Sequence, residues 1–343
     1  MTDAELWSRL GALPEADGTR FTVWAPLAER VELVLEQLSP LGAKPARDSA
    51  RSASSERPPH ATRARDHGGS KGPPAPPGES VVLSMNHAGE GLFTRVVSGA
   101  GAGTRYRLSP DGRGPFPDPA SRFQPRGVHG PSQVIDPGAF QWTDQHWAGC
   151  PLEELVLYEL HVGTFTPAGT FVAAIEKLPH LTRLGVTAIE LMPLADFPGH
   201  RNWGYDGAAL FAPARCYGAP DDLRKLVDAA HGHGLAVHLD VVYCHLGPDG
   251  AYLAAFAPPL LDPRRPTEWG ASMNLDGPHS AGVREILIRN ATHWVREYHL
   301  DGLRLDATPW LRDESPRHFL AELGDRVRAA APETTRVNKP SPA

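Results

Sequence analysis

The sequence predicts a multi-domain fold in which an N-terminal β-sandwich precedes a parallel α/β domain. Two patterns lead to this prediction. Short stretches of alternating apolar residues occupy the first 110 residues, and from about residue 151 apolar strands alternate with helices. The length of 343 residues allows two or three domains of roughly 100–200 residues each. A hydrophobic fraction of 41% is typical of globular proteins and is sufficient to build their cores.

The first domain, residues 1–110, contains four stretches with the alternation of half-buried strands, at 21–26, 31–35, 81–85 and 104–108. Turns rich in glycine and proline separate them. Short strands with such turns are typical of a β-sandwich, which we expect to be immunoglobulin-like. Residues 111–150 are rich in proline and are predicted to form a connector.

An insertion interrupts the first domain at residues 41–80. This segment contains seven prolines, five glycines and six serines, and Leu41 is its only large apolar residue. Ordering it would cost conformational entropy with little apolar surface to bury in return. We therefore expect a disordered insertion. A basic docking arm is the alternative, because seven Lys/Arg against four Asp/Glu give the segment a charge of +3.

Four strand-then-helix units are predicted between residues 151 and 337. The strands are at 156–160, 186–191, 235–242 and 300–305, and the helices are at 171–184, 221–233, 281–299 and 315–330. Pro179 should kink or split the first helix. Strands that alternate with helices pair in parallel, so either a doubly wound sheet or a (β/α)8 barrel is expected. A complete barrel needs eight such units.

Composition limits the partners and cofactors. A formal net charge of −6 argues against nucleic acid or an anionic membrane as the main partner, and fits a neutral or cationic small ligand. Three cysteines without CxxC spacing and an acidic start without a signal peptide indicate a cytoplasmic protein. We expect no metal and no cofactor. His231 and His233 are interpreted as capping residues at a helix end.

Carboxylates stand where two of the predicted strands end. Asp240 lies late in the third strand, and Asp306 closes the fourth. Charged residues in these positions are typical of the reactive face of a parallel α/β barrel. Arg304 precedes Asp306 by two residues, so both side chains point to the same side of the strand. The neighbouring guanidinium favours an ionised carboxylate, which suits a nucleophile. A structural ion pair at the strand end is the alternative.

The loops after the second and third strands carry groups that suit sugar binding. The first loop contains Trp203, Tyr205 and Asp206 between glycines, and the second contains His245. An aromatic ring covers the apolar face of a pyranose, and a carboxylate accepts hydrogen bonds from its hydroxyls. A turn with a packed tryptophan is the alternative interpretation.

Together these motifs resemble the alpha-amylase superfamily of glycoside hydrolases. The carrying stretches are DVVYCH at 240–245, GLRLDA at 302–307 and NWGYD at 202–206, which occur in the order of that family. Within the superfamily the chain is similar to the malto-oligosyltrehalose trehalohydrolase family, through residues 158–166, 190–193, 196–199 and 123–132. Glycogen branching enzymes share part of the pattern but usually have Gln at the position of Asp206.

The resemblance implies a (β/α)8 barrel of which this chain holds the first half, behind a sandwich similar to a sugar-binding module. It also implies a retaining hydrolase that cuts the α-1,4 bond beside the trehalosyl end of malto-oligosyltrehalose and releases trehalose. Asp306 would be the nucleophile, and Arg304 would hold it ionised. Asp240 would order that arginine, and His245 would bond sugar hydroxyls. Tyr205 would stack on the reacting ring.

The sequence departs from the family in three places. The second catalytic carboxyl is a Glu that ends the fifth strand in the family, whereas this chain has an atypical tail at 338–343, so we expect a truncated chain that is inactive alone. Cys244 stands where the family has Asn, and Pro309-Trp310 stands where it tends to have a His. A 1,4-α-glucan branching enzyme and a non-catalytic α-glucan-binding fragment remain the alternatives.

Overall fold

The computed structural model describes residues 2–36 and 80–330. Apart from Ser80, the predicted insertion at 41–80 lies outside the described residues, as does the predicted tail at 338–343. Within the described ranges, the first part of the chain forms two antiparallel sheets, and the second part forms a parallel sheet with flanking helices.

The first part begins with a short helix, α1 (Asp3–Trp7), and continues with two sheets that share one core. Its strands are β1 (Gly11–Glu15), β2 (Gly18–Trp24), β3 (Val31–Glu36), β4 (Ser80–Ser84), β5 (Asn86–His87), β6 (Leu92–Val97), β7 (Arg105–Pro110) and β8 (Ser132–Gln133). The strand orders are β1-β2-β6-β5 and β4-β3-β7-β8. Phe21 of the first sheet meets Tyr106 of the second edge to face, with ring centroids 4.9 Å apart. The immunoglobulin-like character of this sandwich stays a prediction.

The second sheet extends beyond residue 110, where the sequence analysis ends the first domain. Its edge strand β8 comes from the segment interpreted as a connector and pairs with β7. Val134, which follows β8, is fully buried in the core between the sheets. A strand of two residues is too short to show alternation of apolar residues. The high proline content of residues 111–150 therefore predicted a connector and concealed this strand.

The second part of the described chain alternates strands and helices. The strands are β9 (Leu157–Leu160), β10 (Ala188–Leu191), β11 (Ala195–Asp196), β12 (Ala209–Pro213), β13 (Ala236–Val241), β14 (Leu261–Thr267), β15 (Gly270–Met273) and β16 (Gly302–Leu305). The helices are α2 (Val162–Phe165), α3 (Phe171–Ile175), α4 (Leu178–Leu184), α5 (Pro220–Gly232), α6 (Leu253–Phe256), α7 (Ser280–Glu297) and α8 (Phe319–Ala330). The predicted helix at 171–184 is split into α3 and α4, because Pro179 fits only the first turn of a helix.

The order of the parallel strands decides between the two expected architectures. It is β9-β10-β13-β16, so each strand lies beside its successor in the chain, and every pair is parallel. A doubly wound sheet reverses direction at a switch point, whereas a barrel adds strands in sequence. The structure therefore has the strand order of the first four units of a (β/α)8 barrel.

Strand register separates an apolar face from a polar face. Val237 and Leu239 are buried beneath the helices, while the alternate residue His238 lies in register with Glu190 on β10. Glu190 in turn lies in register with Glu159 on β9. Burial, followed by the charges of Asp240 and Glu159, raises the pKa of Glu190. One row of this face is thus formed by the ionisable residues Glu159, Glu190 and His238.

A buried cluster fastens the connector to the opposite end of the sheet. His231, at the end of α5, lies between Asp144 at 2.9 Å and Asp301 at 3.0 Å, and His299 also bonds Asp144 at 2.8 Å. We call these four residues the Asp144 clasp. His233 is the C-cap of α5 and His231 lies in its last turn, so the predicted position of both residues at the helix end is confirmed. The ring of His231 is in addition buried between two carboxylates that are distant in sequence.

The charges of the Asp144 clasp depend on one another. Burial opposes the positive charge of His231, but the hydrogen bonds to Asp301 and Asp144 outweigh it and raise its pKa. Burial also opposes the charge of Asp144, yet its bonds to His299 and His231 leave its pKa lowered. Stabilisation by His231 is complete below the ordinary histidine pKa and is lost as pH rises through its raised value. Stabilisation by Asp144 is lost as pH falls through its lowered value.

We predict that Asp144→Asn destabilises the chain most in mildly acidic solution. At about pH 6, where His231 is protonated, the free energy of unfolding should fall by about 2 kcal/mol, the scale of a hydrogen bond to a charged group. The loss should shrink as pH rises through the pKa of His231. Urea unfolding at a series of pH values measures it, with Asp17→Asn as the control. A loss independent of pH would contradict the charged state of the cluster.

Candidate active site

Four side chains form one hydrogen-bonded chain at the carboxyl ends of β13 and β16. Arg304 donates through Nη1 to Oδ2 of Asp240 at 2.7 Å and to Oδ1 of Asp306 at 2.6 Å. The hydroxyl of Tyr205 donates to Oδ2 of Asp240 at 3.0 Å. Parallel register places Asp240 directly beside Arg304, and Asp306 follows two residues later on the same side. The structure thus brings together four of the residues that the sequence predicts for the site.

The two carboxylates in this hydrogen-bonded network, Asp240 and Asp306, have different surroundings. The side chain of Asp240 is fully buried, whereas that of Asp306 is 21% exposed. Burial raises the pKa of Asp240, and the bonds from Arg304 and Tyr205 oppose that rise. The bond to Asp240 is the main reason why the pKa of Arg304 is raised. A permanently charged guanidinium therefore joins a buried structural carboxylate to an accessible one that can reach a ligand.

The loop after β10 is shaped by Asn202. Its side-chain amide donates to Oδ2 of Asp206 at 3.1 Å, and its side-chain oxygen accepts from the backbone of Gly204 at 2.7 Å. Gly204 has a φ of 99°, and a Cβ there would lie 2.0 Å from the carbonyl oxygen of Pro193. The loop therefore requires glycine at this position. It leaves the indole of Trp203 72% exposed to solvent.

His245 is buried beneath this loop. Its Nε2 lies 3.0 Å from the carbonyl oxygen of Tyr205, and its Nδ1 lies 3.1 Å from Sγ of Cys244. Burial lowers the pKa of His245, which favours a neutral ring that donates to the carbonyl. Both ring nitrogens are engaged, so the contacts seen here hold Tyr205 in place. The predicted bonding of His245 to sugar hydroxyls stays a prediction.

The structure adds two tryptophans that the sequence analysis did not select for the site. Trp269, at the tip of the β14–β15 hairpin, stacks on His245 with ring centroids 5.2 Å apart and is 47% exposed. Trp310, from the loop after β16, meets Trp269 edge to face at 6.0 Å. The position of Trp269 in a tight turn between two short strands is the sequence signal that could have identified it. Trp310 belongs to the Pro309-Trp310 pair, which the sequence analysis gives as a departure from the family motif.

One family profile and several curated proteins are similar to this chain. A family profile described as "Alpha amylase, catalytic domain" matches residues 134–257. A malto-oligosyltrehalose trehalohydrolase of Deinococcus radiodurans is 51% identical over 249 residues, which cover 73% of this chain and 40% of that protein. Its counterpart in Saccharolobus solfataricus is 46% identical over 72% of this chain and 44% of its own length. A branching enzyme GlgB of Aliivibrio fischeri is 34% identical over 65% of this chain.

The solved structures agree with these relatives. A crystal structure of an alpha amylase from Salmonella typhimurium superposes with a TM-score of 0.77 and 40% identity, covering 94% of this chain and 48% of that one. The chain belongs to the alpha-amylase family. Within that family it is related to the malto-oligosyltrehalose trehalohydrolases, and the barrel architecture follows from this membership together with the strand order. The chain spans about two fifths of the length of those two curated relatives.

The described residues also bear on a second carboxyl group and on a metal. A retaining glycosidase needs a second carboxyl group about 5–5.5 Å from its nucleophile. Asp240 shares the guanidinium of Arg304 with Asp306, but the Asp240 side chain is fully buried against that guanidinium. Within residues 2–36 and 80–330, no cluster of three or more His, Cys, Asp or Glu is arranged to hold a metal ion. No described helix is long and apolar enough to cross a membrane.

We predict that the Cys244 thiol is inert in the folded chain. Burial raises its pKa to about 11, and its side chain is fully buried beside His245. The thiolate is the reactive form, so alkylation at about pH 8 should modify the partly exposed Cys150 first and leave Cys244 unmodified. Peptide mass spectrometry measures the order. Labelling in urea is the control, where all three cysteines should react. Equal rates for Cys244 and Cys150 in the native chain would contradict this packing.

Proposed function

We propose that this chain supplies the nucleophile half of a retaining glycosidase that releases trehalose from malto-oligosyltrehalose. The observation that carries the proposal is the guanidinium of Arg304 shared between Asp240 and Asp306 at the ends of adjacent barrel strands. The names of the 51% and 46% identical relatives support the substrate, a malto-oligosyltrehalose or another α-1,4-glucan. Release of trehalose from α-glucan places the reaction in trehalose biosynthesis.

Each residue of the site has a role in this proposal. Asp306 attacks the anomeric carbon of the sugar beside the trehalosyl end, and a covalent glycosyl-enzyme forms as the α-1,4 bond breaks. Arg304 donates to the attacking carboxylate and aims it, and Asp240 fixes Arg304. Tyr205 packs on the reacting ring, with Asp206 beside it. Trp203 and Trp269 offer exposed aromatic surface to neighbouring glucosyl units.

The leaving oxygen also needs a proton from a second carboxyl group. The parallel sheet of residues 80–330 has four of the eight strands of a barrel. The fifth strand, which the resemblance implies to end in the general acid, is absent from these residues, so we expect the 343-residue chain to bind glucan without releasing trehalose. The remaining barrel units would supply the general acid. A non-catalytic α-glucan-binding role for the chain alone is the second candidate, favoured by the same absence among residues 2–36 and 80–330.

The finer domain assignments belong to the same proposal. We divide the chain into a sandwich at 1–110, a connector at 111–150, four barrel units at 151–337 and the tail at 338–343. Pairing of β8 with β7 supports a sandwich that also recruits residues 132–133. An immunoglobulin-like, sugar-binding sandwich and a cytoplasmic location complete the assignment. Three free cysteines support the location.

We predict that Asp306→Asn abolishes catalysis in a complete barrel. The test protein joins residues 1–330 of this chain to the remaining barrel units of the Deinococcus radiodurans relative. It should release trehalose from malto-oligosyltrehalose, and Asp306→Asn should lower the rate by at least about 10⁴-fold, the scale of losing a nucleophile. Asp249→Asn, an exposed aspartate on the loop after β13, is the matched control.

Other outcomes of the same experiment distinguish the alternatives. Full activity of the Asp306→Asn protein would contradict the assignment of the nucleophile. New α-1,6 linkages in amylose, without trehalose, would favour the branching enzyme. The 343-residue chain is measured in parallel, and we expect it to bind maltoheptaose without producing trehalose. Binding without activity in both proteins would favour the non-catalytic role.

A further inference from the structure

An aromatic series extends from the site across the C-terminal face of the sheet. His245 stacks on Trp269 with an interplanar angle of 24°, and Trp269 meets Trp310 at 78°. The guanidinium of Arg312 then lies over the ring of Trp310, 5.3 Å from its centroid. The β14–β15 hairpin and the loop after β16 therefore meet through these rings, and also through Arg265 and Glu314 at 3.8 Å.

The position of Trp310 is fixed by the turn that follows Asp306. Ala307 has a left-handed backbone with a φ of 48°, and residues Thr308–Trp310 form a single 3-10 turn. The backbone N–H of Trp310 donates to the carbonyl of Ala307 at 2.9 Å, and Leu311 beyond it is buried. The indole is thus anchored within four residues of Asp306.

The backbone of Trp269 is held within its own turn, where its N–H donates to Oγ1 of Thr267 at 3.1 Å. It lies at the tip of a two-stranded hairpin whose register is irregular between Asp262 and Pro266, and its side chain is 47% exposed. Arg265 of β14 bonds Asp276 at 2.8 Å and Met273 of β15 is buried in the core, so the hairpin is tied to the rest of the fold. The exposed side chain of Trp269 is oriented by its ring contacts. His245 supports one side of the indole, and Trp310 is the second aromatic contact.

We propose that Trp310 is a positioning residue that holds the indole of Trp269 against His245, and so sets where a glucosyl ring can stack. The consequence for specificity rests on the proposed function, because it assumes that Trp269 contacts a glucan. The orientation of Trp269 itself does not depend on that assumption.

Two readouts on the full 343-residue chain test the proposal. The first is acrylamide quenching of Trp269 fluorescence, taken as the difference between proteins with and without Trp269→Phe. The second is the Kd for maltoheptaose by calorimetry. Trp310→Ala should increase quenching of Trp269 and weaken binding about 3- to 10-fold, the scale of one aromatic pair. Trp310→Phe keeps a ring at the contact and should stay close to wild type.

A double variant separates positioning from direct contact. If Trp310 acts through Trp269, then Trp269→Ala/Trp310→Ala should bind maltoheptaose no more weakly than Trp269→Ala alone. Arg312→Ala removes the guanidinium over Trp310 but leaves both indoles in place. It should also increase the quenching of Trp269, by less than Trp310→Ala does. Trp142→Ala, which removes a ring stacked on His299 at the other end of the sheet, is the control and should change neither readout.

Each outcome has a defined meaning. Unchanged quenching of Trp269 in both Trp310→Ala and Arg312→Ala overturns the proposal. Losses of affinity that add fully in the double variant also overturn it, because Trp310 would then contact the sugar directly. If wild type binds no maltoheptaose while quenching still increases in Trp310→Ala, the positioning role stands and the glucan site of the proposed function fails.

Discussion

The shared guanidinium of Arg304 is the interaction on which the site depends. It donates to a buried carboxylate on one side and to an accessible carboxylate on the other, both through Nη1. A fully buried carboxylate without a charged partner would be costly, so Asp240 depends on Arg304, whose own side chain is 44% exposed. The accessible Asp306 is therefore placed by a pair of charges that cannot easily rearrange. Tyr205 joins the same network through Asp240, which connects the loop at 202–206 to Asp306 by way of Arg304.

Strand geometry makes this arrangement possible. Parallel register brings Asp240 beside Arg304, and the period of two residues brings Asp306 to the same side. Apolar residues on the opposite face, such as Val237 and Leu239, hold these strands against the helices. At the other end of the sheet, the Asp144 clasp fastens the connector to the starts of β13 and β16. The same sheet therefore separates a stabilising charged cluster from the reactive one, as expected for barrels whose chemistry lies at the carboxyl ends of strands.

Much of this site could be predicted from the sequence, because short motifs and strand parity determine it. The apolar strand patterns predict Asp240 and Asp306 at strand ends. The two-residue spacing then places Arg304 on the same side of the strand as Asp306. The contacts that sequence reasoning missed all join segments that are distant in the chain. His231 meets Asp144 across 87 residues, and Trp269 meets Trp310 from a different loop. No local periodicity reports such contacts, and a strand as short as β8 leaves no alternation to detect. His245 shows the same limit, since its backbone partner Tyr205 lies 40 residues away.

The central claim is that Asp306 is a nucleophile held ready by Arg304. A fluorinated maltosyl fluoride tests it most directly on the 343-residue chain, because fluoride leaves without a proton from a general acid. The carboxylate of Asp306 should form a bond to the anomeric carbon as fluoride departs, and the second fluorine should slow the loss of the sugar. Peptide mass spectrometry should then find the added mass of the fluoromaltosyl group on the peptide that contains Asp306, and find none in Asp306→Asn. Labelling of a different carboxylate, or of none, would contradict the account.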